Sequence, residues 1–199
     1  MRAKLTNALL LAVIGAAAIL AAGCGDFIRN DRAPVTLVIN DLTAGEGANP
    51  STFTNTLRSD VRSNSGTIFD DVGRVTMSLT LKDPGIPAAA SVPSAINEVT
   101  ITRFRVAFRR SDGRNTAGVD VPFPFESAVT FRVPASGTGT ATFELIRHTS
   151  KVEAPLVGLA GSSVIISTVA DVTFSGRDRA GNEVSVTGSL GVLFGDFSG

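Results

Sequence analysis

"VTFSGRDRAGNEVSVTGSLGVLF", Val172–Phe194, decides the fold. On either side of the central "RDRAG" alternate residues are apolar: Val172 and Phe174 before it, then Val184, Val186, Leu190, Val192 and Phe194 after it. A side-chain period of two belongs to a strand with one wet and one dry face, and an alternation that breaks at a turn signal and resumes beyond it is a β-hairpin. The first arm extends back through Ala170 and Ile166 to Val164, giving strands within "SVIISTVADVTFSG" and "NEVSVTGSLGVLFGDF". Gly181 and Asn182 are expected to supply the positive φ values that a tight hairpin needs.

Working outward from the hairpin, the same period recurs upstream. In "RVTMSLTLK", Arg74–Lys82, Val75, Met77, Leu79 and Leu81 share one face and Thr76, Ser78, Thr80 and Lys82 the other. "INEVTITRFRVAFRR", Ile96–Arg110, places Phe104, Val106 and Phe108 opposite Arg103, Arg105 and Arg109. That arginine row is expected to be a solvated face, the alternative being an anion-binding stripe. Further strands are expected in "PVTLVIN" (Pro34–Asn40), "STFTNTLRSDVR" (Ser51–Arg62), "SAVTFRV" (Ser127–Val133) and "TGTATFELIRH" (Thr138–His148). "DPGIPAAASVPSA", Asp83–Ala95, holds three prolines and is expected to cross over between two sheets. "TSKVEAPLVGLAG" has room for one helical turn at most, given Pro155 and its glycines. The expectation is an all-β, antiparallel sandwich of about seven to nine strands.

The hairpin residues Asp178, Ala180, Gly181 and Asn182 form a D-x-A-G-N turn, which resembles the closing hairpin of bacterial immunoglobulin-like repeats. The resemblance implies an immunoglobulin-like sandwich. No internal repeat is visible, so one elaborated domain over residues 34–199 is expected.

The other end of the chain sets its address. Arg2 and Lys4 precede an uncharged stretch, Leu5–Gly25, with the apolar centre "ALLLAVIGAAAILAA", the shape of an export signal. "LAAGC", Leu20–Cys24, resembles the lipobox of bacterial lipoproteins, although Ala21 stands where a large aliphatic residue is usual. The resemblance implies removal of a signal peptide, residues 1–23, and a lipid on Cys24, with residues 24–33 as a tether. A single transmembrane helix and an unlipidated secretory signal are the alternatives; the uncharged stretch is only just long enough to span a bilayer. Cys24 is the one cysteine of the chain, so no disulfide framework is available and lipidation would consume the thiol. Gly25, rather than an aspartate that would retain some lipoproteins in the inner membrane, favours the outer membrane in a cell that has one.

Composition removes several functions. The chain carries 18 basic and 18 acidic side chains, and losing Arg2 and Lys4 leaves 16 against 18, so nothing marks a nucleic-acid partner. Twelve Phe stand beside no Tyr and no Trp, which disfavours both a sugar-stacking platform and the aromatic girdles of a transmembrane barrel. His148 is the single histidine, which leaves no histidine-built zinc site. A serine triad would have to use His148 beside a residue such as Ser150, without any G-x-S-x-G elbow. Asp70 and Asp71 are adjacent, so within a strand they would face opposite ways and could not share a proton.

The densest polar loop is "RRSDGRNTAGVDVPFPF", Arg109–Phe125. Asp112, Asn115 and Asp120 are hard oxygen donors that could gather around Ca²⁺, though not at EF-hand spacing; a structural loop is the other reading. Phe123 and Phe125, each directly after a proline, either close one end of the sandwich or form an exposed contact patch. The expected function is a non-enzymatic, lipid-anchored envelope domain that binds or positions another envelope protein. The alternatives are a calcium-dependent adhesion or ligand-binding module and, more remotely, an unusual hydrolase.

Overall fold

A computed structural model describes residues 32–197. Cys24 and the signal segment lie outside the described residues. The rest is nearly all β, as the alternation predicts. Eight long strands occupy two sheets: β1 (Val35–Gly45), β2 (Thr56–Asp60), β3 (Asp71–Leu81), then, after the two-residue pair β4 (Gly85–Ile86) and β5 (Ala89–Ala90), β6 (Val99–Arg109), β7 (Phe125–Val133), β8 (Gly139–Ile146), β9 (Ile166–Asp178) and β10 (Glu183–Gly195). One sheet has the order β1-β3-β8 and the other β2-β10-β9-β6-β7. The long crossover after β3 does join the two sheets, carrying β4, β5 and a 3₁₀ turn at Ala95–Asn97.

The sheets face each other across phenylalanine. Phe143 of β8 packs on Phe104 of β6 and on Phe174 of β9, each at 5.1 Å between ring centroids. Phe125 and Phe131 add edge-on contacts from β7. Phe rings suit such a core because a Tyr or Trp would bring an O–H or N–H needing a partner. Gly73 makes room for the cluster, since a Cβ there would stand 2.3 Å from the Phe143 ring.

Several expectations need correction. β2 is five residues long, much shorter than the Thr-rich Ser51–Arg62 span, and it pairs parallel to β10, so the sandwich is not wholly antiparallel. Val164 precedes β9 and is 57% exposed rather than inward. A bulge between Ile101 and Arg103 turns Thr102 and Arg103 outward together, which is how Val99 and Ile101 join Phe104, Val106 and Phe108 in the core. At the hairpin Gly181 has φ +87°, but Asn182 does not adopt positive φ. Asn182 works by hydrogen bonding instead: its N–H and side-chain amide both donate to the Asp178 carboxylate at 2.8 Å.

The registers divide the connections between two poles. Pairings Val35 to Leu81, Met77 to Gly139 and Val99 to both Val133 and Asp178 gather the chain entry, the crossover 82–98 and the turns 134–138 and 179–182 at one end. Pairings Gly45 to Val72, Asp71 to Ile146, Arg109 to Val169 and Gly195 to Asp60 gather loops 46–55, 61–70, 110–124 and 147–165 at the other. The first end is the entry pole and the second the far pole.

Candidate functional site

The loop between β6 and β7 opens at the far pole. Its glycines turn the chain, with φ +81° at Gly113 and +75° at Gly118. Asp112 accepts from the Arg110 Nε through both oxygens at 3.1 Å and from the Arg114 backbone N–H at 3.1 Å. Asn115 Oδ1 accepts from the Arg110 N–H at 2.6 Å. Asp120 lies 2.9 Å from Arg114 Nη2 and accepts from the Thr116 N–H at 3.3 Å. Hydrogen bonds from Arg110 and from the Arg114 N–H hold the Asp112 carboxyl below its usual range. Desolvation pushes Asp120 up, but the Thr116 N–H and Arg114 outweigh it and leave it lowered too. The three residues singled out for calcium are thus distributed among Arg110, Arg114 and Thr116, and an incoming cation would have to displace two guanidinium groups. Among the described residues no group of three or more His, Cys, Asp or Glu side chains is placed to hold a metal.

The two rings of "VPFPF" part company. Phe125 is buried against Phe104, with the Arg147 guanidinium 3.9 Å above its ring. Phe123 is 54% exposed and lies over Gly118, where a Cβ would come within 2.3 Å of the ring. One closes the sandwich and the other presents an apolar surface beside exposed Val119. The arginine row on β6 is outward, with Arg109 paired to Asp171 at 2.7 Å and Arg105 to Glu126 at 3.9 Å.

A second arrangement at this pole centres on the one-turn helix His148–Lys151 after β8. Adjacent aspartates grip its two ends. Asp70 Oδ1 accepts from the His148 N–H at 2.5 Å and pairs with His148 Nδ1 at 2.9 Å, both side chains about half exposed. Ser150, the serine considered beside His148, gives its N–H to the Arg147 carbonyl. Burial raises the Asp70 carboxyl, but the His148 hydrogen bonds dominate and leave it lowered.

Asp71 turns inward. Its Oδ2 lies 2.9 Å from Lys151 Nζ, with the two side chains 0% and 1% exposed. Ser59 donates its hydroxyl to the same oxygen at 2.6 Å, the Gly47 N–H donates to Oδ1 at 2.9 Å, and Lys151 also donates to the Asp60 carbonyl at 2.9 Å. Burial pushes the Asp71 carboxyl up, and Lys151, Ser59 and Gly47 only partly reverse it. The network joins β3, β2 and the helix, hence both sheets. Above it opens a polar cleft of about 550 Å³ whose lining includes Glu46, Arg58, Asp60 and Phe197, with the Arg58 guanidinium stacked 4.4 Å from the Phe197 ring. Burial and the neighbouring Asp60 and Asp71 raise the Glu46 carboxyl.

Neither Lys151 nor Ser59 stands out in the periodicity. The signal that could have found the pair is compositional: Lys4, Lys82 and Lys151 are the only lysines beside fifteen arginines. Among the described residues no helix is long and apolar enough to cross a membrane. No protein-family model matches the chain, and no curated protein does.

Proposed function

We propose that this chain is a lipid-anchored, non-enzymatic domain of the cell envelope that holds or positions another envelope protein through its far pole. The observation that carries the reading is the polarity of the sandwich. Residues 24–33 would tether the domain to lipid from the entry pole, where Val35 starts β1, while the loops 46–55, 61–70, 110–124 and 147–165 project from the opposite end. Those loops expose Val119, Phe123, Val152, Val157, Val164 and Ile165, a larger apolar set than the Ile86, Val92 and Ile96 exposed by the crossover at the entry pole, and of the kind that partner surfaces use.

An immunoglobulin-like plan is part of the proposal. With β1, β3 and β8 as strands A, B and E and β6, β7, β9 and β10 as C, C′, F and G, the neighbours are A-B-E in one sheet and C′-C-F-G in the other, the order of that fold. Such sandwiches carry recognition in the loops at one end. The outer membrane remains the favoured address, on the strength of Gly25 after Cys24.

Two measurements test the reading. Fatty-acid labelling of the chain should be lost in Cys24→Ala, and unchanged labelling would remove the anchor. Photo-crosslinkers placed in whole membranes at Val119 or Phe123 should trap one discrete protein, whereas one at Ile86 on the entry pole should not. Equal trapping from both poles would remove the directional reading.

A further inference from the structure

We propose that Lys151 and Asp71 condense after folding into an intramolecular amide, a covalent bond between β3 and the helix that follows its neighbour β8. Four features of the network support it. Both side chains are buried, and Nζ lies 2.9 Å from Oδ2. Each carboxylate oxygen has its own donor, Gly47 N–H on Oδ1 and Ser59 Oγ–H on Oδ2. The cation is one of three lysines in a chain with fifteen arginines. Arginine supplies the cation opposite Glu98, Asp112, Asp120, Glu126, Glu144, Asp171 and Glu183, whereas this buried position uses a primary amine. A guanidinium stays protonated and would make the better bidentate pair; an amine can lose a proton and become a nucleophile.

The chemistry balances without any co-reactant. Transfer of one proton from the ammonium to Oδ2 converts the ion pair into a neutral amine and a carboxylic acid, a change that desolvation favours. The raised Asp71 carboxyl is in keeping with that transfer. The nitrogen lone pair then adds to Cγ, and the negative charge that develops on Oδ1 is met by the Gly47 N–H, a fixed donor in a water-poor site. Ser59 can pass the second amine proton to Oδ2 while keeping one of its own. The Cγ–Oδ2 bond breaks, Oδ2 leaves as water, and Nζ keeps one hydrogen as the amide. Three ammonium hydrogens are thereby divided between one amide N–H and one water molecule.

The reaction leaves a signature that needs no variant. Trypsin digestion of the full chain, recovered from membranes in detergent, should give a branched peptide joining Ser63–Arg74 to His148–Arg177. Acylation of Nζ would block cleavage after Lys151, and the mass should be one water below the sum of the two arms. Recovery of Ser63–Arg74 and His148–Lys151 as separate linear peptides from the wild-type chain would overturn the proposal. Lys151→Arg, which keeps the cation but cannot form this amide, should return both arms in linear form; a branch surviving there would assign the link elsewhere and overturn it too. With Ser59→Ala, closure followed by the same digest after refolding should slow by roughly a hundredfold. Closure at the wild-type rate would overturn the route through Ser59.

Discussion

The two poles of this sandwich solve the same problem, how to end strands without stranding polar groups, by different means. At the entry pole the two hairpin turns, 134–138 and 179–182, are short, and the second is satisfied locally. The β9–β10 turn closes on Asp178, which takes both hydrogen bonds from Asn182 while its own N–H reaches the Asn182 carbonyl, all within five residues of chain. At the far pole the satisfaction is long-range. Asp71 is served by Gly47, Ser59 and Lys151, groups from three separate segments. A local turn can tolerate changes elsewhere in the chain, whereas a network drawn from distant segments fixes their relative positions. The difference explains how long loops with exposed apolar side chains can be carried on a fixed base at the far pole.

The largest expected effect belongs to the core that both poles share. Phe174, 0% exposed and ringed by Phe104, Phe131 and Phe143, should cost about 3–5 kcal/mol when replaced by Ala. Thr173→Ala, one residue away on the outer face, should change urea unfolding little; equal losses would break the register on which both poles are defined. Next, Lys151→Met removes both the cation and the amide it would form, leaves Asp71 buried and unpaired, and should cost at least about 3–5 kcal/mol. Hydrogen exchange should then quicken around Gly47 and Ser59 before it does around Asn182. Asp178→Ala at the entry pole should cost less, about 1–3 kcal/mol for the donors it leaves unpaired. A larger loss at Asp178 than at Lys151 would reverse the comparison.

Acid sharpens it further. Asp70 is held below the usual carboxylate range, so its contribution is present above that range and lost as pH falls through the lowered value. Until the amide with Lys151 closes, Asp71 is raised, so its native form binds a proton more tightly than the unfolded chain does, and its contribution shrinks as pH rises through the raised value. Asp70→Asn should therefore flatten the acid limb of a Tm against pH profile between about pH 2 and 5, with little change at pH 7 beyond the loss of a half-exposed pair. The smallest effect should come from calcium. A saturated site at 100 times its dissociation constant would add about 2.7 kcal/mol; with Asp112 and Asp120 already paired to Arg110 and Arg114, the Tm should not move. A calcium-induced rise that vanishes in Asp120→Asn would turn the far pole into a metal-dependent adhesion surface.

What could be read from the sequence follows from the range of each interaction. The alternation in Val184–Phe194 and Val75–Leu81 is a property of neighbouring residues and carries directly into the burial of β10 and β3. The glycine of the hairpin was legible for the same reason. The bulge at Ile101–Arg103 was not, because two successive outward residues look like a slip in the pattern until β9 fixes the register opposite them. Adjacency of Asp70 and Asp71 correctly implied different surroundings, but not which ones: His148 and Lys151 reach them only after β8 has paired with β3. The separate fates of Phe123 and Phe125 likewise depend on Gly118 and Arg147, brought in by folding.

The parallel pairing of β2 with β10 gives the domain a mechanical grain. The described chain starts at the entry pole and ends at the far pole, and the registers from Thr56 with Gly191 to Asp60 with Gly195 run along that axis. Tension between the two poles enters through β1, which is held by β3, and leaves through β10; once β1 yields, it would draw β2 along β10 in shear and load their hydrogen bonds together. An antiparallel pair pulled from adjacent ends would instead open one bond at a time. The strand arrangement thus suits a linker that bears load along its length, and single-molecule pulling between residues 32 and 197 should find a higher rupture force than pulling across the sheet.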